Sequence, residues 1–295
     1  MSNIYNNSYP SKSLLSTQNI VLACMGWAIL ALLYFLLFSA QIPTQTAEGI
    51  KPLRAEWYII GTNIFEAIAY LGSGILCLRN WRSQQIVTGR NVWLAIGIGM
   101  LSFFLGGIFF GYTEIVLKEE PFPSIGDIFF VITYLFVGFA MISAVLSKRI
   151  NLEPWQWLII IAIAVSGSAL AWLISSQTPS AESQIAPWAT QIAPILNWFY
   201  VVSDVLLLII ATALLLAFWG GRVSLSWRMI AAAAFSLYIA DMWQKFATNS
   251  ILEYQSGGIL EVFYVWSGVL FGMGAVLEYD ASLLRSRRDR GRKRN

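Results

Sequence analysis

Histidine is absent from this chain of 295 residues, cysteine occurs twice and charged residues make up 12% of it. The first absence excludes histidine-ligated haem or zinc, Ser-His-Asp catalysis and an autophosphorylated histidine within the chain. Cys24 and Cys77 both fall near the same ends of apolar segments, so no disulfide framework is indicated. A soluble domain carries about 25% charged residues; half that share, against 57% hydrophobic residues, marks a membrane protein. The net charge of +3 says little about partners, because seven of the nineteen basic residues follow residue 284. No basic, aromatic-laced surface for nucleic acid is present.

What the chain has in plenty is long apolar runs. A window of about 19 residues finds eight, near 20–40, 56–78, 92–114, 125–147, 155–175, 195–219, 227–248 and 258–278. The fold class is all-α and polytopic: a 1–19 N-terminal segment, an eight-helix membrane domain over 20–278 and a basic tail over 279–295. Span one is longer than the apolar core of a cleaved leader, about 7–15 residues. The connections are short, and the longest, 175–194, is rich in Ser, Gln and Pro.

Basic residues divide unevenly between the two sides. Lys12, Arg79, Arg82, Arg90, Lys148, Arg149, Arg222, Arg228 and the seven of the tail make fifteen on one side; Lys51, Arg54 and Lys118 make three on the other. This bias predicts that both termini are cytoplasmic. Trp93, Trp155, Trp157 and Trp227 are expected at inner interfaces, and Trp57 and Trp198 at outer ones.

Shifting the chain by 134 residues lays Trp93 on Trp227, Ser102 on Ser236, Gly138 on Gly272 and Asp127 on Glu261; a shift of 138 lays Glu66 on Asp204. Four spans per half would give a 4+4 parallel repeat, 20–147 and 155–278. Chance similarity among apolar helices would give some of the same matches, and the paired acids favour duplication.

Charge inside the spans is the informative part. Glu66, Glu114, Asp127, Asp204, Asp241, Glu261 and Lys245 all fall within or at the rim of a span, on its outer half by the orientation above. A charge at a helix centre costs roughly 2.5–3.5 kcal/mol on insertion scales and is a candidate functional group. Helical spacing gathers these groups into stripes: Asn63, Glu66 and Tyr70; Asp127 and Tyr134; Tyr200 and Asp204; Asp241 and Lys245; Glu261 and Tyr264. These eleven are the candidate ligand-binding residues, expected to line one water-accessible cavity. Asp241 and Lys245, four apart with the acid first, are expected to form an ion pair. Asp127, just after Pro123-Ser124, also has the placement of a helix-capping acid. The Asp241-x-x-x-Lys245 spacing is similar to the retinal-binding helix of microbial rhodopsins, but Lys245 lies near the outer end, another span follows and the helix runs the opposite way.

The stretch 114–141 resembles a signature of bacterial multi-pass sensory domains that precede GGDEF diguanylate cyclase, EAL or histidine-kinase modules. The match to the family's PS-x-x-D pattern is carried by Pro123, Ser124, Asp127, Phe129, Phe130 and Tyr134, with Asp204, Ile239-Ala240-Asp241 and a Gly-Gly loop echoing it in the second half. The resemblance spans residues 55–278 and implies a non-enzymatic inner-membrane sensor of a small molecule or lipid. The sequence departs from it in showing no output module, which implies a separate signalling partner. A transporter or lipid-handling assembly protein using the same carboxylates and Lys245 is the alternative. A carboxylate acid–base enzyme lacks a nucleophile or phosphate loop in its support, and no cofactor is assigned.

Overall fold

A computed structural model describes residues 16–46, 49–86, 88–118, 122–147, 152–176, 187–217, 223–250 and 254–292. Lys12, Lys148, Arg149, Arg222, Lys293, Arg294 and residues 177–186 of the 175–194 connection lie outside the described residues, and 187–194 of that connection already belong to a helix. The described residues form eight α-helices: α1 Thr17–Phe38, α2 Glu56–Arg82, α3 Arg90–Tyr112, α4 Ile125–Ser147, α5 Pro154–Ser175, α6 Pro187–Ala217, α7 Val223–Ser250 and α8 Val262–Arg292. Between α1 and α2 lies a hairpin that apolar patterning does not announce, β1 Ile42–Thr46 paired antiparallel with β2 Gly49–Leu53.

Local sequence sets several boundaries. Ser16 caps α1 by accepting the Asn19 N–H. At α5 Pro154 takes the first helical position, where its missing N–H costs nothing, and Gln156 reaches back to the Glu153 N–H. α3 ends in a π-helical turn, Thr113–Leu117, and stops at Lys118 in the left-handed region at φ 57°.

Among the described residues seven helices are long and apolar enough to cross a membrane, and the molecule is an all-α polytopic membrane protein. α7 is the exception to the eight expected spans on composition. It carries Arg228, Asp241 and Lys245, and it is enclosed by α5, α6 and α8 so that its polar groups meet protein. The outer faces of the helices expose many large apolar side chains, among them Leu30, Leu33, Ile75, Phe139, Leu158 and Leu173. Contiguous exposure on this scale suits lipid rather than water.

Packing follows a ring, α2–α3–α4–α6–α7–α8, closed by α8 on α2. Within it α2·α3·α4 and α6·α7·α8 are packed in the same order, and the junctions α4·α6 and α8·α2 correspond. The outlying helices break the correspondence: α1 lies mainly on α8, and α5 on α6 and α7. Trp93 and Trp227, expected at an interface, are instead fully buried and pack on each other with centroids 6.1 Å apart. Both begin a helix of their half, and the ring brings those two starts together at its centre. Trp57, Trp155, Trp157 and Trp198 are exposed, as interfacial anchors are.

Small residues let backbones approach, the usual device where lipid supplies no hydrophobic drive between helices. A Cβ on Gly126 of α4 would stand 2.8 Å from the Gly106 carbonyl of α3, so no larger residue fits that crossing. The two faces of the bundle are distinct. The rim face is where α2, α4, α6 and α8 begin. At the opposite face Thr88 donates to Glu278 at 2.8 Å, Asn80 to the Ala275 carbonyl at 2.8 Å, and Arg79 lies over the Tyr279 ring.

Candidate functional site

The charged stripes all sit in the half of the bundle nearer the rim face, but they divide into three places rather than one cavity. The reason is the position of each acid along its helix. The first four N–H groups of a helix lack intrahelical partners, whereas those farther in are used by the helix itself. An acid at a helix start is therefore bound by backbone, and an acid deep in a helix must find side chains.

The rim shows the first case. Glu261, in the single 3-10 turn that opens α8, accepts N–H bonds from Gly257 at 2.7 Å and Gly258 at 3.1 Å and the Tyr254 hydroxyl at 2.8 Å. Burial and the Glu261 carboxylate push the Tyr254 phenol well above its ordinary range, so it remains a donor. Gly257 has φ +98°, and a Cβ there would stand 2.5 Å from the Tyr58 ring. Arg54 clamps this loop from before α2, donating to the Gln255 and Ser256 carbonyls, while Tyr58 donates to the Gly257 carbonyl at 2.8 Å. Glu114 accepts the Ser256 N–H at 3.0 Å. Asp127 acts as the capping acid its context announced: it accepts the Ser124 N–H at 2.6 Å and the Tyr200 hydroxyl at 2.7 Å. Asp127 and Glu261, matched by the 134-residue shift, thus both hold a helix start and a tyrosine.

Deeper, between α4, α6, α7 and α8, lies a phenol–carboxylate network. The Tyr134 Oη of α4 is 2.5 Å from Asp204 Oδ1 of α6 and 2.6 Å from Asp241 Oδ2 of α7. The Tyr264 Oη of α8 is 2.8 Å from Asp241 Oδ1 and 2.5 Å from Gln244 Oε1. Lys245 does not pair with Asp241. Both Asp241 oxygens are occupied by phenols, and Lys245, one turn nearer the rim, donates to Asn197 Oδ1 at 3.2 Å and the Asn197 carbonyl at 3.3 Å. Its ammonium lies 5.9 Å from the Tyr200 ring centroid, and that ring packs 5.7 Å from Tyr134. Among the described residues the one ion pair is Lys118 with Glu56, both exposed at the rim.

The third place is a cavity of about 330 Å³ between α2 and α3. Asn63, Glu66 and Tyr70 supply its polar wall, and Phe103, Gly107 and Gly111 lie opposite. Its mouth is edged by Ile64, Ile108 and Val116, half-exposed on the outer surface, so it opens sideways towards lipid. Glu66 is the one carboxylate on its wall and makes no hydrogen bond among the described residues; Asn63 spends its amide on the Ile59 carbonyl at 2.9 Å. A Cβ on Gly107 would stand 3.6 Å from Glu66 Oε1, and one on Gly111 only 2.9 Å from Asn63 Oδ1. The two glycines therefore leave the space that Glu66 faces. From the start of α2, Glu66 is ten residues in, roughly 15 Å.

Of the eleven predicted residues, the structure joins Tyr134, Asp204, Asp241 and Tyr264 directly, sets Tyr200 and Lys245 beside them, assigns Asp127 and Glu261 to the rim, and places Asn63, Glu66 and Tyr70 on a separate groove. Gln244 was missed although it lies three residues beyond Asp241 on the same face. Arg54 and Tyr254 were missed because nothing local shows that a loop 200 residues from Arg54 returns to it. Comparison with family models, with curated proteins and with solved structures finds no match to this chain.

Proposed function

We propose that this chain is a ligand-binding membrane protein of sensory type, resident in a bacterial inner membrane with both termini cytoplasmic, which takes an amphiphilic ligand into the α2–α3 groove. The observation that carries this reading is Glu66: a carboxylate without a hydrogen-bond partner among the described residues, on the wall of an otherwise largely apolar cavity open to lipid. Intramembrane carboxylates are costly and ordinarily paired. Such a wall suits a ligand with an apolar body and a head that donates hydrogen bonds or carries positive charge. The excess of basic residues on the opposite face supports an outer-leaflet position for the groove. The PS-x-x-D resemblance supports sensing, with output through a separate partner protein.

The test is native mass spectrometry and lipid analysis of the purified protein. A head-group class enriched at least tenfold (about 1.4 kcal/mol of preference) in the wild type and lost from both Glu66→Gln and Gly107→Leu is the expected result. Gly107→Leu fills the groove without touching the rim or the deep network. Equal retention by all three proteins, or no enrichment, overturns the reading.

A further inference from the structure

We propose that Asp204 and Asp241 form a proton-binding site, in which two carboxyl groups and the Tyr134 phenol share one proton beyond the phenol's own. The inference rests on a count of hydrogens. Tyr134 Oη stands within hydrogen-bond distance of two carboxylate oxygens, 2.5 Å from Asp204 and 2.6 Å from Asp241. A phenol has one hydrogen to donate and an ionised carboxylate has none. With both acids ionised, one of these contacts would be lone pair against lone pair. One carboxyl must therefore carry a hydrogen and donate it to the phenol oxygen, while the phenol donates to the other carboxylate.

No neighbouring donor removes the need. Around Tyr264 the count closes without a proton, because the Gln244 amide can turn its NH₂ to the phenol while the phenol donates to Asp241. No such amide lies on Tyr134. Asp204 is 1% exposed, and its second oxygen, Oδ2, is buried with no hydrogen-bond partner among the described residues. A carboxyl with one oxygen left bare at that depth is poorly held as an anion, which favours a neutral acid at the pair whose hydrogen lies in a contact with the phenol.

The surroundings supply little positive charge. Lys245 is within electrostatic reach of both acids, but its ammonium is bound to Asn197. Tyr200 of α6 and Tyr238 of α7 lie within electrostatic reach of Asp204, Tyr264 of α8 and Tyr70 of α2 within reach of Asp241, and Glu66 adds like charge. α3 and α5 bring no titratable group to the pair. Two neighbouring carboxyls in a low-dielectric site ordinarily hold one proton between them. The proton also has a mechanical role. With it, Tyr134 ties α4 to α6 and α7 together; without it, Tyr134 can hold only one of the two. The site is distinct from the α2–α3 groove, and its test needs no ligand.

Infrared difference spectroscopy of the full chain in lipid nanodiscs, in H₂O and D₂O at neutral pH, reads the proton directly. The expected result is a protonated-carboxyl C=O band that is lost in Asp204→Asn and equally lost in Asp241→Asn. In each variant the new amide supplies the missing hydrogen and the remaining carboxylate ionises. Tyr134→Phe should keep the band but move its frequency, because the acid loses its phenol acceptor. Absence of the band from the wild type, or its persistence in both Asn variants, overturns the proposal. Loss in only one variant makes that residue a lone neutral acid and overturns the sharing, and an unmoved band in Tyr134→Phe overturns the bridge.

Discussion

The rim and the deep network are built from the same side chains and treat them oppositely. At the rim, Asp127 and Glu261 stand at helix starts, where free N–H groups exist before any tertiary contact forms, and backbone fills their lone pairs. Ten or more residues into a helix, Asp204, Asp241 and Glu66 meet backbone already spent, and what they bind depends on which neighbour the bundle presents. Asp204 and Asp241 receive phenols from α4 and α8; Glu66 receives Gly107 and an open space. Depth along a helix thus separates acids that hold the fold from acids that remain free for chemistry.

Substitutions can break this contrast. The largest effect should come from Glu261→Ala, which strands the Gly257 and Gly258 N–H groups and the Tyr254 hydroxyl. Each stranded buried donor costs about 1–3 kcal/mol, so the melting temperature in detergent should fall sharply, and Glu261→Gln, which keeps an acceptor, should recover part of it. Asp127→Ala should follow, with about 1 kcal/mol for the lost cap and more for the stranded Tyr200. At the deep layer Glu66→Gln should leave stability within about 0.5 kcal/mol while abolishing ligand retention; a loss as large as that of Glu261→Ala would erase the distinction between the layers. Smallest of all is Lys118→Gln, which breaks an ion pair whose side chains are 59% and 71% exposed. Screened surface pairs of this kind contribute about 0–1 kcal/mol, and differential scanning fluorimetry should barely register the change.

The helices were legible because length and apolarity along the chain are what a bilayer selects. The capping role of Asp127 was legible for a local reason, since Pro123-Ser124 fixes where α4 starts. The misreadings are all matters of direction. A tryptophan at the end of an apolar segment has the same sequence context whether it stays exposed, as Trp155 does, or packs on another tryptophan, as Trp93 does. The spacing of Asp241 and Lys245 permits an ion pair, but spacing within α7 carries no word of Tyr134 and Tyr264 arriving from two other helices. The single expected cavity became three places because Glu66 faces α3, and the room beside it is made by Gly107, some forty residues away. The hairpin over 42–53 went unread because its two strands, each interrupted by proline, give no alternating pattern.

α8 runs without interruption from Val262 to Arg292, 31 residues, or roughly 46 Å. Its first turns carry the rim and Tyr264, and its far end leaves the bundle among basic residues. A helix without a break offers no joint to absorb a rotation, so a tilt imposed at the phenol–carboxylate network would be carried along its length. A tilt of roughly 5° about Tyr264 would carry the far end roughly 4 Å sideways at 1.5 Å of rise per residue. That would be a side-chain-sized displacement at the opposite face of the bundle.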